Sequence, residues 1–233
     1  MSVSMYTPIK LGYKDKKSQI DEMKKYGYYR DDSLSNDNEQ VYWNPTKKKL
    51  LYNVTGTHNL SDWGTDVYLG TGRLKQTNRY KEADDILAKS KAKYGVKKAK
   101  IVGHSLGGGI ANGIANGIAK GNDKVYTLDA GYTIGEKARD NVKNYRTKGD
   151  IVSTFSPSQN TTTLTNPNAT PQKWFSNAVS GLGMGIGALT ARIGNNAIQA
   201  HDVDNIKNTP IKVDKNKGRY NTDYGIKYVN LVD

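Results

Sequence analysis

The stretch GHSLGG, from Gly103 to Gly108, places Ser105 between two glycines at the spacing G-x-S-x-G. A serine hydroxyl becomes an effective nucleophile only when a base removes its proton and the backbone exposes it. A strand that turns sharply into a helix exposes the hydroxyl, and the residues that flank this strained turn must be small. The apolar KIV before the motif predicts the strand, and GGIANGIAN after it predicts the helix. We therefore predict that Ser105 is a catalytic nucleophile, with a serine in a structural turn as the alternative.

A nucleophilic serine also needs backbone N–H groups that bind the negative charge developing on the substrate oxygen. The residue after the nucleophile, Leu106, begins the predicted helix, so its N–H supplies one donor. The second donor must come from an earlier loop, and NVTGTHNLSDW follows a predicted strand where such a loop belongs. We predict that the N–H of Thr57 is this second donor.

Asp150 and Asp129 are the two candidates for the acid of a triad with serine and histidine. Where the nucleophile lies on a strand–turn–helix, the triad residues follow one another as serine, acid and histidine. The acid normally follows the second strand after the nucleophile, and YRTKGDIVS contains that strand and then Asp150. Asp150 is therefore favoured, and Asp129, at the end of the intervening strand, is the competitor. The plainer interpretation is that Asp150 is a turn residue and that Asp129 is a solvated strand end.

The chain has three histidines, and their order along the chain indicates which one is the base. His58 lies too early, in the predicted oxyanion loop, and His104 is adjacent to Ser105, so its side chain should point elsewhere. His201 alone follows both acid candidates. We predict that His201 takes the proton of Ser105 while Asp150 orients the imidazole. The alternative is that His201 is an ordinary surface histidine.

These residues need a scaffold, and the sequence upstream of the motif predicts helices and a β-hairpin. The segment 14–30 has apolar residues at helical spacing and should form a helix that ends near Gly27. Two apolar runs, Val41–Trp43 and Leu50–Val54, flank an Asn-Pro turn and predict the hairpin. A second periodic segment, 73–95, predicts a long helix that stops at its terminal glycine.

The segments around the motif alternate between predicted strand and predicted helix. They comprise a strand at 99–103, a helix at 108–120, a strand at 124–130, a helix at 136–144 and a strand within 145–153. This order is typical of a parallel sheet with crossover helices. The predicted fold class is α/β: an α/β-hydrolase with a mostly parallel central sheet and an antiparallel N-terminal hairpin, in one domain over residues 1–233.

The part of the chain between the acid and the base has a different composition. Residues 156–172 are rich in Ser, Thr, Asn and Pro, which predicts a polar loop. The apolar, glycine-rich VSGLGMGIGALTA follows, so that the loop and this segment fill about 157–199. A mobile apolar flap over the site, at 176–197, is one interpretation, and packing on the protein's own core is the other. The tail YNTDYGIKYVNLVD alternates enough to predict a final strand.

Composition excludes several kinds of chemistry. The chain has no cysteines, which removes disulfides, thiolate catalysis and cysteine-ligated metal sites. With three histidines a multi-histidine metal site is not expected, and the predicted triad needs neither a metal nor a cofactor. The mean hydropathy is −0.74 and the first residues contain no apolar run, so we expect neither an integral membrane protein nor a secretory signal.

The formal net charge is +13, and the densest basic runs are NPTKKKLL and GVKKAK. Each run borders a predicted strand, so solvated strand ends are the plain interpretation. The functional interpretation is attraction to an anionic surface, either lipid headgroups or nucleic acid. No nucleic-acid-binding motif accompanies the charge. We therefore expect peripheral contact with an anionic membrane rather than with nucleic acid.

Three segments together resemble the class 3 lipases, the α/β-hydrolases related to fungal triacylglycerol lipases. VTGTHNLSDWGTD is similar to their oxyanion-loop segment, IVGHSLGGGIA to their nucleophile elbow and YRTKGDIVSTFSP to their acid segment. The segments occur in the family's order and cover roughly residues 40–160. The chain departs from the family at Thr55, where members usually have arginine, and at DAGY, where they usually have G-x-P. His201 resembles the family's late histidine.

The resemblance implies hydrolysis of a lipid acyl ester, an acylglycerol or a phospholipid, through an acyl-enzyme on Ser105. A short-chain, soluble ester is the closest alternative substrate. A hydrolase-like module that has lost activity and serves in binding, or in a structure such as a virus particle, is an alternative of a different class. The presence of all three triad residue types favours the enzyme.

Overall fold

The computed structural model describes residues 2–58, 74–115, 123–131, 139–147, 150, 153, 161–164 and 201. Their central feature is a seven-stranded sheet whose strands lie in the order of the sequence. The first three strands pair antiparallel, and every later pair is parallel. This is the mostly parallel sheet with an antiparallel N-terminal hairpin that the sequence predicts. The predicted flap at 176–197 and the predicted final strand at 220–233 lie outside the described residues.

The N-terminal part forms two short helices rather than one long one. Helix α1 spans Tyr6–Leu11 and helix α2 spans Lys16–Lys24. Helix α2 begins after Asp15, whose carboxylate accepts the N–H of Ser18 at 2.9 Å and so satisfies one of the unpaired donors of the first turn. The helix predicted to end near Gly27 is therefore present, and it ends at Lys24. The residues that follow the predicted helix, Tyr29–Arg30, form strand β1 against the hairpin.

The predicted hairpin is confirmed as strands β2, Glu39–Asn44, and β3, Lys49–Val54. After a single 3₁₀ turn at Leu74–Gln76, the predicted long helix is confirmed as α3, Asn78–Tyr94. The hydroxyl oxygen of Thr77 caps α3 by accepting the N–H of Tyr80 at 3.2 Å. The helix ends before Gly95, as the sequence predicts.

The parallel part of the sheet follows. Its elements are strand β4, Ala99–His104; helix α4, Ser105–Ile114; strand β5, Lys124–Leu128; strand β6, Val142–Thr147; and strand β7, Thr161–Leu164. The carboxyl ends of parallel strands meet at one edge of the sheet. Ser105, Asp129 and Asp150 all follow such ends, so this topology places them along the same edge.

Two predicted elements after β5 are wrong. The helix predicted at 136–144 is not formed in its described part, because Val142 begins β6 and pairs with Val125 of β5. Val142 and Asn144 are buried while Lys143 between them is exposed, which is the alternation of a strand rather than the period of a helix. The polar loop predicted at 156–172 contains strand β7. Its threonines are polar, but their β-branched side chains favour the strand conformation.

The sheet separates two apolar clusters. One contains α1 and α2 with one face of the sheet, and the other contains α3 and α4 with the opposite face. Fully buried members of the first include Met5, Ile9, Met23, Tyr42 and Leu51; those of the second include Val41, Leu50, Leu87, Ile101 and Ile110. Adjacent strand residues such as Leu50 and Leu51 therefore face opposite layers, as a pleated strand buried on both faces requires. Among the helices in the described residues, none has the length and apolar character needed to cross a bilayer.

Candidate active site

Ser105 lies at the turn between β4 and α4. Strand β4 ends at His104 and α4 begins at Ser105 itself, with no residue between them. Ser105 has φ = +57°, in the left-handed region that non-glycine residues rarely adopt, and its carbonyl accepts the N–H of Gly131 at 2.9 Å. The predicted strand–turn–helix is therefore present. Such backbone strain at a single buried serine is typical of a functional residue.

The motif requires its two glycines, Gly103 and Gly107, because other backbone atoms approach them too closely for a side chain. A Cβ on Gly103 would lie 2.6 Å from the carbonyl oxygen of Gly107, because the helix folds back immediately over the strand. A Cβ on Gly107 would lie 2.6 Å from the carbonyl carbon and oxygen of Thr55, and closer still to the carbonyl oxygen of Val54. The glycine at 107 therefore lets the end of β3 and the following loop pass directly against the first turn of α4.

The predicted oxyanion loop is adjacent to Ser105. A Cβ on Gly56 would lie 2.9 Å from the Cβ of Ser105, so the backbone at Gly56 touches the nucleophile turn. Thr57 is the next residue along this loop, and Leu106 is the second residue of α4. The two predicted oxyanion donors thus lie on the two backbone segments that flank Ser105.

Asp150 and His201, predicted from the sequence as acid and base, are in direct contact. Nδ1 of His201 lies 2.7 Å from Oδ1 of Asp150, and both side chains are buried. The other carboxylate oxygen of Asp150 accepts the N–H of Ser153 at 2.7 Å and also its hydroxyl. Burial alone would raise the pKa of Asp150, but the positive charge of His201 and the hydrogen bonds from His201 and Ser153 hold it below its usual value. Asp150 is therefore the ionised partner of the imidazole.

His201 is tied to the nucleophile turn through its backbone. Nε2 of His104 lies 3.0 Å from the carbonyl oxygen of His201, and the two imidazole rings lie 4.7 Å apart between centroids. A carbonyl oxygen can only accept, so Nε2 of His104 carries the proton and Nδ1 is left as an acceptor. This contact brings His201 to the residue immediately before Ser105.

Tyr13 continues this network into the oxyanion loop. Its hydroxyl lies 2.7 Å from Nδ1 of His104, and since that nitrogen is an acceptor, the tyrosine O–H is the donor. The hydroxyl oxygen in turn accepts the N–H of Gly56 at 2.9 Å. Burial, followed by the charge of His201, lowers the pKa of His104 to about 3, so this ring stays neutral. His104 therefore links Tyr13 to the backbone of His201 through its two ring nitrogens.

His58 and Asp129, the other candidate residues, have different partners. His58 is exposed, and its Nε2 donates to the carbonyl of Asp37 at 3.2 Å, so the structure places it in an exposed loop contact. Asp129 is fully buried at the end of β5 and has φ = +46°. The imidazole of His201 is hydrogen-bonded to Asp150, whereas Asp129 is reached from Asp150 through Ser153.

Asp129 is held by the end of β6. Its carboxyl oxygens accept the backbone N–H of Thr147 and, at 2.8 Å, the hydroxyl of the same residue. The hydroxyl oxygen of Ser153 lies 3.3 Å from Asp129 and closer to Asp150, so it bridges the two carboxyl groups. Burial, and next the negative charge of Asp150, raise the pKa of Asp129 to about 8. Burial and neighbouring charges therefore shift the pKa values of the two acids in opposite directions.

Sequence reasoning missed Ser153 and Tyr13. Ser153 follows Asp150 by three residues, the spacing at which an aspartate accepts the backbone N–H of a turn, so D-x-x-S was a usable local signal. Tyr13 is 91 residues from its partner His104, and no local pattern indicates that contact.

Ligand atoms of His104, Asp129 and His201 lie within 4.8 Å of one another, a spacing that could surround a metal ion. Their hydrogen bonds argue against that use. Both ring nitrogens of His104 contact partners, Tyr13 and the backbone of His201, and Nδ1 of His201 contacts Asp150. A metal would have to break these bonds, whereas a proton-transfer site uses them as they stand.

Comparisons with known proteins give the family and the fold of the chain. A family model described as a Tle-like phospholipase domain matches residues 9–201. Among solved structures, the Lip2 lipase from Yarrowia lipolytica has a TM-score of 0.50 at 15% identity, over 72% of this chain and 78% of that one. A triacylglycerol lipase from Penicillium expansum has a TM-score of 0.41 at 15% identity, over 70% of this chain and 77% of that one. A comparison with curated proteins found no match.

Proposed function

Because the chain belongs to the phospholipase-like family defined by the Tle-like phospholipase domain, we propose that it cleaves lipid acyl esters through Ser105, His201 and Asp150. The chain is an ester hydrolase of the lipase or phospholipase type, and its fold is that of the lipases. The resemblance to class 3 lipases inferred from three sequence segments is confirmed. The triad itself, and the substrate, are the proposal.

The observation that carries the triad is the buried contact between His201 and Asp150. The carboxylate fixes the imidazole with its Nδ1–H toward Asp150, which leaves Nε2 as the nitrogen that can accept a proton. The backbone of His201 is bonded to the residue before Ser105. A base, an orienting acid and a serine on a strained turn therefore share one buried edge of the sheet.

The proposed reaction has two acyl-transfer steps. His201 takes the proton of Ser105 as its oxygen attacks the ester carbonyl, and the N–H groups of Leu106 and Thr57 bind the oxyanion. The alcohol leaves with the proton from His201, and the acyl group stays on Ser105. Water then attacks the acyl-enzyme, with His201 again as the base. Asp150 stabilises the imidazolium in both steps.

The proposed substrate is an acylglycerol or a phospholipid, and the family description favours the phospholipid. The positive charge of the lysine runs does not help to distinguish an acylglycerol from a phospholipid. Lys47 and Lys48 precede β3, Lys97 and Lys98 precede β4, and all four are exposed. Because β3 and β4 run parallel, both basic runs lie at the amino ends of the strands, opposite the edge that carries Ser105. The predicted peripheral contact with an anionic membrane therefore cannot use these runs while the site faces the same membrane.

A fluorophosphonate probe tests the nucleophile directly. Wild-type protein should be labelled at Ser105, and Ser105→Ala should lose both the label and the esterase activity. Ser90→Ala is the matched control, because Ser90 is also buried but bonds the carbonyl of Ile86 in α3, and that variant should label normally. Unlabelled wild-type protein would support the alternative of an inactive binding or structural module.

A panel of phospholipids, acylglycerols and p-nitrophenyl esters of increasing chain length tests the substrate. Lipid hydrolysis should rise with chain length and with the presence of an interface. A preference for short, soluble esters with no interfacial activation would replace the lipase proposal with the short-chain esterase.

A further inference from the structure

The peptide group that joins Thr55 to Gly56 begins the predicted oxyanion loop, and it lies just beyond the sheet. The N–H of Thr55 still donates to the carbonyl of Asn38 at 2.8 Å, which continues the pairing of β2 with β3. The carbonyl of Thr55 and the N–H of Gly56 have no backbone partner among the described residues. Both residues are buried, so these two groups need side-chain partners.

Side chains from opposite layers of the fold bind the two ends of this peptide group. Tyr13, which lies between α1 and α2, accepts the N–H of Gly56 on its hydroxyl oxygen at 2.9 Å. Arg79, in the first turn of α3, donates from one terminal guanidinium nitrogen to the carbonyl oxygen of Thr55. Because the C=O and N–H of a trans peptide point in opposite directions, one partner on each side fixes the plane of the group.

The guanidinium of Arg79 bonds Thr55 rather than the nearby Glu39. Nε of Arg79 lies 3.9 Å from the carboxyl group of Glu39, which is too far for a hydrogen bond, and has no other partner among the described residues. Burial also raises the pKa of Glu39 to about 7, so this carboxyl group is only partly ionised at neutral pH. The contact that fixes the guanidinium is therefore its hydrogen bond to Thr55.

We propose that Arg79 is a positioning residue: by holding the carbonyl of Thr55, it fixes the direction of the next N–H along the loop, that of Thr57. Only Gly56 separates the held peptide group from that N–H, so the φ and ψ angles of one residue decide where it points. Gly56 is itself packed on the turn at Ser105, where an added Cβ would lie 2.9 Å from the Cβ of the serine. This inference rests on the proposed function, in which the Thr57 N–H binds the oxyanion.

Two substitutions at Arg79 separate the hydrogen bond from the packing of the side chain. The amide introduced by Arg79→Gln ends where Nε lies, short of the Thr55 carbonyl, whereas Arg79→Lys ends one bond short of the terminal nitrogens and keeps a donor there. Removing an oxyanion donor outright lowers kcat by about 10²–10³, and a donor that is only loosened should cost less. We expect Arg79→Gln to lower kcat by about 10–100-fold with KM within about threefold, and Arg79→Lys to recover most of that loss.

Inhibition by an alkylboronic acid reports on the oxyanion site without turnover. The boron adds to the oxygen of Ser105 and forms a tetrahedral anion that resembles the transition state, so Ki should rise in Arg79→Gln by the factor by which kcat falls. A change that only destabilised the fold would leave kcat and Ki unchanged once they are corrected for the folded fraction, measured by denaturant unfolding. Lys81→Met is the matched control, since Lys81 is an exposed cation on the same helix, and both constants should stay within about twofold.

Two results would overturn the proposal: wild-type kcat and Ki in folded Arg79→Gln, or losses in Arg79→Lys as large as those in Arg79→Gln. If Arg79→Gln does not fold, Arg79→Met replaces it with the same expectation, because methionine has no donor. Fluorophosphonate labelling of wild-type Ser105 decides the proposed function separately. A labelled wild type with unaffected Arg79 variants would refute this inference alone, whereas an unlabelled wild type would refute the proposed function.

Discussion

Replacing Gly107 by alanine should damage activity more than stability, because this glycine sets the distance between the predicted oxyanion loop and the turn at Ser105. The new Cβ would lie 2.6 Å from the carbonyl carbon and oxygen of Thr55, whereas ordinary van der Waals contact begins near 3.4 Å. Relieving the Thr55 contacts alone requires the loop and the helix to separate by about 0.8 Å, and relieving the closer contact with the carbonyl oxygen of Val54 requires more. Both contacting groups are backbone, so neither can rotate away.

The expected losses of stability and activity in Gly107→Ala follow from this displacement. Overpacking of this size in a close-packed interior lowers the free energy of unfolding by about 1–3 kcal/mol. The better helix propensity of alanine offsets up to about 1 kcal/mol of that loss. A shift near 1 Å in a catalytic arrangement lowers the rate by about a hundredfold. We expect Gly107→Ala to lower kcat/KM by about that factor while the free energy of unfolding falls by only about 1–2 kcal/mol.

The assay pairs ester hydrolysis with denaturant unfolding and uses Gly113→Ala as the control. Gly113 lies in the same helix, and the three atoms nearest to a Cβ there all belong to the side chain of Tyr80 rather than to backbone. Gly113→Ala should keep kcat/KM within about threefold. If Gly107→Ala retains wild-type activity, or if both variants lose activity equally, the argument that this glycine positions the loop against Ser105 is refuted.

Three further predictions follow from the contacts of single residues. Asp150→Asn should lower kcat by about 10⁴, the effect of the equivalent change in the serine proteases, with folding retained by circular dichroism; a loss below about tenfold would contradict its role as the orienting acid. Tyr13→Phe removes the donor to His104 and the acceptor for the N–H of Gly56, so kcat/KM should fall about tenfold, and unchanged kinetics would show that the link is not used. Burial opposes ionisation of Asp31, yet hydrogen bonds from Lys93, Tyr94 and Ser33 lower its pKa to about 2, so this group stabilises the fold above pH 4 and loses that effect as the pH falls towards 2. Asp31→Asn should therefore reduce the free energy of unfolding by about 2 kcal/mol at pH 7 and by much less near pH 2, and an equal loss at both pH values would contradict this linkage.

Much of the fold could be predicted because its signals are local. The hairpin around Leu50–Val54 and the helix that ends before Gly95 each combine apolar periodicity with a turn or stop residue within a few positions. The prediction of secondary structure failed where pairing with a neighbouring strand outweighed the polar composition of a segment. Val142–Thr147 contains lysine, asparagine and arginine, and it becomes a strand because Val142 and Asn144 are buried next to β5.

The candidate site likewise has a local part, which the sequence predicts, and a part that depends on tertiary contacts. Its backbone part is local: the elbow at Ser105 and the N–H of Leu106 follow from a motif five residues long and from the strand and helix that it joins. The order of strands also favoured Asp150 over Asp129, and the structure places Asp150 against His201. The roles of these residues in catalysis stay predictions until the variants above are measured.

By itself, the sequence determined that a serine lies on a strained turn between a buried strand and a helix, because that geometry depends on small residues at fixed spacing. It also determined which histidine follows the acid along the chain. Only the tertiary structure decided that Tyr13 bonds His104 and that Ser153 bridges two carboxyl groups. It also shifted the pKa values of those two acids in opposite directions, because Asp129 is buried beside the negative charge of Asp150 whereas Asp150 lies against His201. Desolvation, and hydrogen bonds between residues far apart in the chain, depend on distances that no spacing of residue types encodes.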